Sequence, residues 1–188
     1  MDFDQAFWEK IILLILTALL TGLGIPWLLK RIEQRKLLEQ KKFEADLVRQ
    51  GKILEAQSKL LDDLSELLWK WRYLAKKVVY YGAKEDVDRY QLARKLYDES
   101  VWDILNEFRA QISRSRRLIS EQAYHRLDDL YKYVVHDIDL EISRIIGKEQ
   151  LDVKFCQEMS ERFSVEVSRK LDDALDDLAS ELNLKVKA

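Results

Sequence analysis

The sequence predicts an all-α protein: an N-terminal transmembrane helix that continues through a charged helical neck into an antiparallel up-down four-helix bundle. Three observations predict it. The 188 residues contain only five glycines and one proline, too few turn formers for a multi-stranded sheet. A run without any charge lies between Lys10 and Lys30. Beyond residue 53, apolar residues recur at helical spacing. The lone Cys156 excludes an intramolecular disulfide framework and a Cys-rich zinc site. The net charge of −2 argues against a generally basic nucleic-acid binder.

Residues 1–10 read as a short extracytoplasmic N-terminus. Residues 11–29, Ile11 to Leu29, are apolar enough for a transmembrane helix. At 1.5 Å per residue they reach about 28 Å, against a hydrocarbon core of roughly 30 Å. Trp8 and Trp27 bracket the run as interfacial anchors, with Phe7 beside the first. A cleaved signal peptide would start with a basic segment, but here Asp2, Asp4 and Glu9 outnumber Lys10. On the other flank Lys30, Arg31, Arg35, Lys36, Lys41 and Lys42 outnumber Glu33 and Glu39. The positive-inside rule puts that side in the cytoplasm. The expected location is the plasma (inner) membrane, single-pass, N-terminus outside. Ala18 and Gly22 form a small-xxx-small pair suited to helix–helix packing in the membrane. Pro26 removes a backbone donor and predicts a kink near Gly22.

Residues 30–52 form the charged neck, about 33 Å long if straight. Gly51 is its one expected point of interruption, at only about 1 kcal/mol. Residues 53–188 form the bundle. Its first helix, about 53–81, shows three heptad strips: Ile53/Leu60/Leu67/Leu74, Leu54/Leu61/Leu68/Ala75 and Leu64/Trp71/Val78. Such a broad face suits a bundle rather than a two-stranded coiled coil. Gly82 is expected to end it as a left-handed cap. The second helix, about 85–112, carries Tyr90, Ala93, Tyr97, Val101, Ile104, Phe108 and Ile112. The third, about 120–146, has Ser120 as its N-cap and the stripe Ala123, Leu127, Leu130, Val134, Ile138, Ile142 and Ile145, stopping at Gly147. The fourth, about 151–183, carries Cys156, Met159, Phe163, Val167, Leu171, Ala174, Leu178 and Leu182. Similar lengths and short links favour up-down packing.

Each candidate site competes with a plain alternative. Glu121, His125, Asp128, Lys132, His136 and Asp139 follow a strip opposite the apolar one, and an exposed polar face explains them better than a metal site. The Leu-Asp-Asp-Leu motifs at 61–64, 127–130 and 175–178 turn leucines inward and aspartates outward. A cation site at Asp172, Asp173, Asp176 and Asp177 lacks the wrapping loop that calcium uses. Arg109, Arg114, Arg116 and Arg117 form the sharpest basic cluster; Arg114, Arg116 and Arg117 are candidates for anion or lipid contact. Trp69 and Tyr73, interleaved with Lys70, Arg72, Lys76 and Lys77, are candidates for a partner surface.

No phosphate loop, nucleophile–base pair or metal-ligand set is present in the sequence, so no enzyme, cofactor or small-molecule substrate is expected. The expected function is a non-enzymatic, membrane-anchored interaction or scaffold protein. Its partners are the lipid bilayer and a protein, or copies of itself, and not nucleic acid. The alternative is a subunit of an oligomeric membrane effector or channel-like assembly, of the kind defence and toxin systems use, joined through span and neck.

Overall fold

A computed structural model describes residues 5–147 and 150–183, with side chains except at residues 5–7, 23 and 24. Asp2, Asp4 and the Phe7 side chain lie outside the described residues. The described chain is all-helical, without a strand. The helices are α1 (Gln5–Leu19), α2 (Ile25–Ala83), α3 (Val87–Ser115), α4 (Glu121–Lys132), α5 (Leu140–Ile146), α6 (Val153–Arg162) and α7 (Ser168–Glu181). Three π-helical segments, Leu20–Gly24, Tyr133–Asp139 and Phe163–Val167, join neighbours into four continuous runs: 5–83, 87–115, 121–146 and 153–181.

The chain divides into two compact units, Met1–Lys52 and Ile53–Ala188. None of the first unit's described side chains is buried. Among the described residues it holds the one helical stretch long and apolar enough to cross a membrane, and none of that stretch's described side chains is buried. Its polar side chains turn back on the helix: Thr17 Oγ1 donates to the Leu13 carbonyl and Thr21 Oγ1 to the Thr17 carbonyl, both at 2.7 Å. Satisfying such groups internally is what a lipid environment demands. The region near Gly22, where the sequence predicts a kink, is the π segment Leu20–Gly24, and there Ile25 N–H bonds the Leu20 carbonyl five residues back. Pro26 follows without a donor of its own. Gly51 does not interrupt the helix, because α2 runs through it. With strong helix formers on both sides, one glycine's cost of about 1 kcal/mol is too small to break it.

The second unit is organised by one core cluster drawn from α2 to α7. Leu60, Leu64, Leu68, Trp71, Ala75 and Val78 are buried on α2, but Ile53 and Leu54 are exposed. The apolar face thus begins to be covered near residue 60, not 53. On α3 the stripe is as read, except that Leu105 is buried and Ile104 only half-buried. All seven stripe residues of 121–146 are buried. On the last run only Ala174 is merely half-buried.

The links are short because their ends are capped. Asp86, Ser120 and Asp152 each accept a backbone N–H three residues on, from Arg89, Ala123 and Phe155. Gly82 is not the left-handed residue. That role falls to Glu85 (φ 57°), in a Schellman arrangement with Asp86 N–H to the Tyr81 carbonyl and Glu85 N–H to the Gly82 carbonyl, both 3.1 Å. Gly82 is buried in the last turn of α2 for another reason. A Cβ there would meet Cys156 Sγ at 2.5 Å and Leu151 Cδ1 at 3.2 Å. The Cys156 and Leu151 side chains pack directly against the glycine and occupy the space a Cβ would need.

Cross-helix pairs tie the runs together. Gln111 Nε2 donates to Asp63, and Gln57 Nε2 to the Leu118 carbonyl. Arg109 pairs with Asp128, and Tyr97 with Asp139. Arg126 meets Asp177 at 3.2 Å and Arg162 meets Glu141 at 2.9 Å. Trp71 packs on Phe163, ring centres 5.9 Å apart.

Candidate functional site

The outer face of α2 carries the most distinctive exposed surface. Trp69 (62% exposed) and Tyr73 (48%) stand one turn apart and stack, with centroids at 5.2 Å and planes 7° from parallel. The Lys77 ammonium sits 4.9 Å from the Tyr73 ring centre, a cation–π contact one turn further on. The same lysine borders a shallow recess with Tyr81, Arg89, Leu92 and Leu96. Residues 67–84 hold five basic side chains and no acidic one. Arg72 and Lys70 are partly neutralised by Asp172 and Glu66. Helical spacing placed Trp71 inside and Trp69 and Tyr73 outside, and they occupy those places. Leu92 and Leu96, which extend the surface onto α3, were not singled out. They fall outside every apolar stripe, and an isolated surface leucine gives no sequence signal.

The arginine cluster is dispersed by its partners. Arg109 bonds Asp128 and lies 5.3 Å from the Tyr131 ring centre. Arg114 Nη1 meets Glu107 at 2.9 Å, and Arg116 lies over Tyr124 at 5.6 Å. Arg116 and Arg117 remain exposed in the turn between α3 and α4. Bonds from Lys132 and Arg109 hold the Asp128 carboxyl below its ordinary pKa.

Asp139 departs most from its reading. It is 2% exposed and accepts a hydrogen bond from the Tyr97 hydroxyl. It lies at the end of the π segment Tyr133–Asp139. A π turn holds an extra residue, which shifts the helical phase and rotates the next side chain inward. Burial pushes the Asp139 carboxyl up, while Tyr97 and Trp71 pull it down. Burial, then the adjacent Asp139, raises the Tyr97 hydroxyl as well. The Trp71 indole N–H lies near this pair but falls short of hydrogen-bond geometry, the one buried side-chain donor without a partner among the described residues.

A second polar set joins the two facing π segments. Tyr133 Oη donates to Glu166 at 3.0 Å, Arg162 reaches Glu166 and Glu141, and Lys170 covers the Tyr133 ring at 3.8 Å. Burial and Glu166 push the Tyr133 hydroxyl up to about 12.

His125 and His136 are exposed, and His125 Nε2 lies 3.9 Å from Glu121. Among the described residues no group of three or more His, Cys, Asp or Glu side chains converges on a metal-sized space. Asp172 lies near Arg72, and Asp177 pairs with Arg126. Trp8 and Trp27 are exposed, and Arg31 lies 5.3 Å from the Trp27 ring centre. Lys30, Ala18 and Gly22 are exposed too, and a Cβ at Gly22 would meet nothing within 4 Å. Cys156 is buried, its thiol pushed up to about 11 by burial and by Asp152. The chain matches no family model, no curated protein and no solved structure.

Proposed function

We propose that this chain is a single-pass, membrane-anchored helical interaction protein, non-enzymatic, with its C-terminal unit in the cytoplasm. One observation carries the reading: the described residues of 11–29 present apolar side chains on every side of a helix, and none of them is buried. The basic residues after the span favour a cytoplasmic C-terminal side of the plasma or inner membrane. The cross-helix pairs favour an antiparallel up-down bundle as the cytoplasmic unit. In the pair 109–128 a late residue of one run meets an early one of the next; in 63–111, 97–139 and 126–177, counting the first helix from residue 53, an early residue meets a late one of the next. The anchor confines the search for a partner to two dimensions, and the Trp69–Tyr73–Lys77 face offers the contact surface.

Alkaline extraction of native membranes, with epitope tags at both ends, tests the reading. The chain should stay in the pellet. The C-terminal tag should resist protease until the membrane is opened. Release into the supernatant contradicts the anchor, and a C-terminal tag cleaved on intact cells contradicts the orientation. A second reading, a subunit of an oligomeric effector or channel-like assembly, is favoured by the uncovered apolar side chains of the neck, such as Phe43 and Val48.

A further inference from the structure

The neck contains a repeat of eleven residues. Lys30, Ile32 and Glu33 recur as Lys41, Phe43 and Glu44, and again as Lys52, Leu54 and Glu55. Leu37 likewise recurs as Val48. Eleven residues make three turns at about 3.67 residues per turn, near the α-helical value, so residues eleven apart stack along one line. The stretch is uninterrupted α-helix, part of α2. Ile32 and Phe43 therefore share a line, with Leu47 one turn beyond Phe43 and about 33° round. Every residue from 30 to 52 is exposed, Phe43 at 64%. A helix with a regular apolar line and no core of its own needs a partner to cover that line.

We propose that residues 30–51 form a self-association surface, and that its occupant is the same segment of further copies of this chain, parallel and in register. This rests on the membrane reading, because spans in one bilayer hold every copy the same way up. Charge complementarity selects the arrangement. Glu33 and Glu44 flank the apolar line on one side, and Arg31 and Lys42 flank it on the other. Closer to the line, Lys36 lies on the glutamate side and Glu39 on the arginine side. Between parallel helices the two unlike flanks meet, as e and g positions do in parallel coiled coils. Glu44 then faces a neighbour's Lys42, and Lys36 a neighbour's Glu39. Antiparallel helices would bring like flanks together and set glutamates against glutamates. Asp46, beside Lys42, is the one acid that departs from the scheme. Gln34 and Ala45, themselves eleven apart, mark the opposite face, small or polar at both places.

Oxidative cross-linking of the full chain in native membranes tests this. Single variants Phe43→Cys, Leu47→Cys, Gln34→Cys and Ala45→Cys are compared, with buried Cys156 left in place. Two tag lengths expressed together identify a partner as a second copy. The 43 and 47 variants should form the mixed dimer at least about tenfold more readily than the 34 and 45 variants. Equal yields at all four positions, or adducts that are not copies of the chain, would overturn the proposal. Glu33→Lys with Glu44→Lys should lower the yield at position 43, and adding Arg31→Glu with Lys42→Glu should restore it. Failure of that rescue overturns the parallel register. Alkaline extraction of the same samples separates the two readings. A chain that stays embedded but shows no favoured face refutes the self-association alone. A chain that washes off refutes the anchor, and the favoured face still reports on the neck.

Discussion

At Asp139, burial and ionisation oppose one another. The folded state raises its carboxyl pKa from the ordinary 3.8 and so holds the proton to a higher pH than the unfolded chain does. Between the two values the folded form binds more protons, so its stability falls as pH rises through that window and levels off above it. Asp139→Asn keeps an oxygen to accept from Tyr97 and has no proton to lose. In urea titrations of the solubilised chain from about pH 4 upward, this variant should lose that decline; a pH profile parallel to the native one would refute the assignment. Asp139→Leu should cost about 1–3 kcal/mol at every pH, because it strands the buried Tyr97 hydroxyl. The sequence pattern put Asp139 on the outer strip, since it lies one residue beyond Ile138 on a 3.6-residue count. The count fails where the helix widens to a π turn, and no residue type announces that. Leu105 displaces Ile104 for a simpler reason: two adjacent apolar residues fit the same stripe, and only the neighbouring helix chooses between them.

Where one helix meets the next, side-chain oxygens were easier to read than glycines. Ser120 caps α4 as its position suggests, because a serine ahead of an amphipathic stretch has one obvious donor to satisfy. Gly82 misled, because a glycine at a helix end serves equally for a left-handed turn or for a close approach. Its contact with Cys156 separates the two. Gly82→Ala should destabilise the fold by about 1–3 kcal/mol, the cost of overpacking, measured by urea unfolding. Combined with Cys156→Ala, which removes the Sγ at 2.5 Å, the loss should be clearly less than the sum of the two single changes. Strict additivity would refute the coupling of Gly82 to Cys156. The aromatic ladder was legible at this scale because one stripe fixes the inside of a helix and so its outside.

For the molecule as a whole, composition separated the apolar N-terminal stretch from the charged remainder, and periodicity then counted the helices. Which side chains join the runs was not legible in advance, because contacts such as Arg126–Asp177 link residues 51 apart, where no local pattern reaches. The division into two compact units predicts that a fragment beginning at residue 53 folds without the first unit. It should be monomeric, helical by circular dichroism and lost in one cooperative thermal transition. An aggregated or unfolded fragment would show that the core cluster needs the first unit.

The packing of Cys156 on Gly82 also makes the protein its own stopwatch. A thiol that is sealed by a neighbouring backbone and titrates near 11 reacts with alkylating reagents only after the contact opens. Its labelling rate in the folded chain therefore equals the intrinsic thiol rate scaled by the open fraction. The breathing of the α2–α6 contact can be followed there without adding a probe.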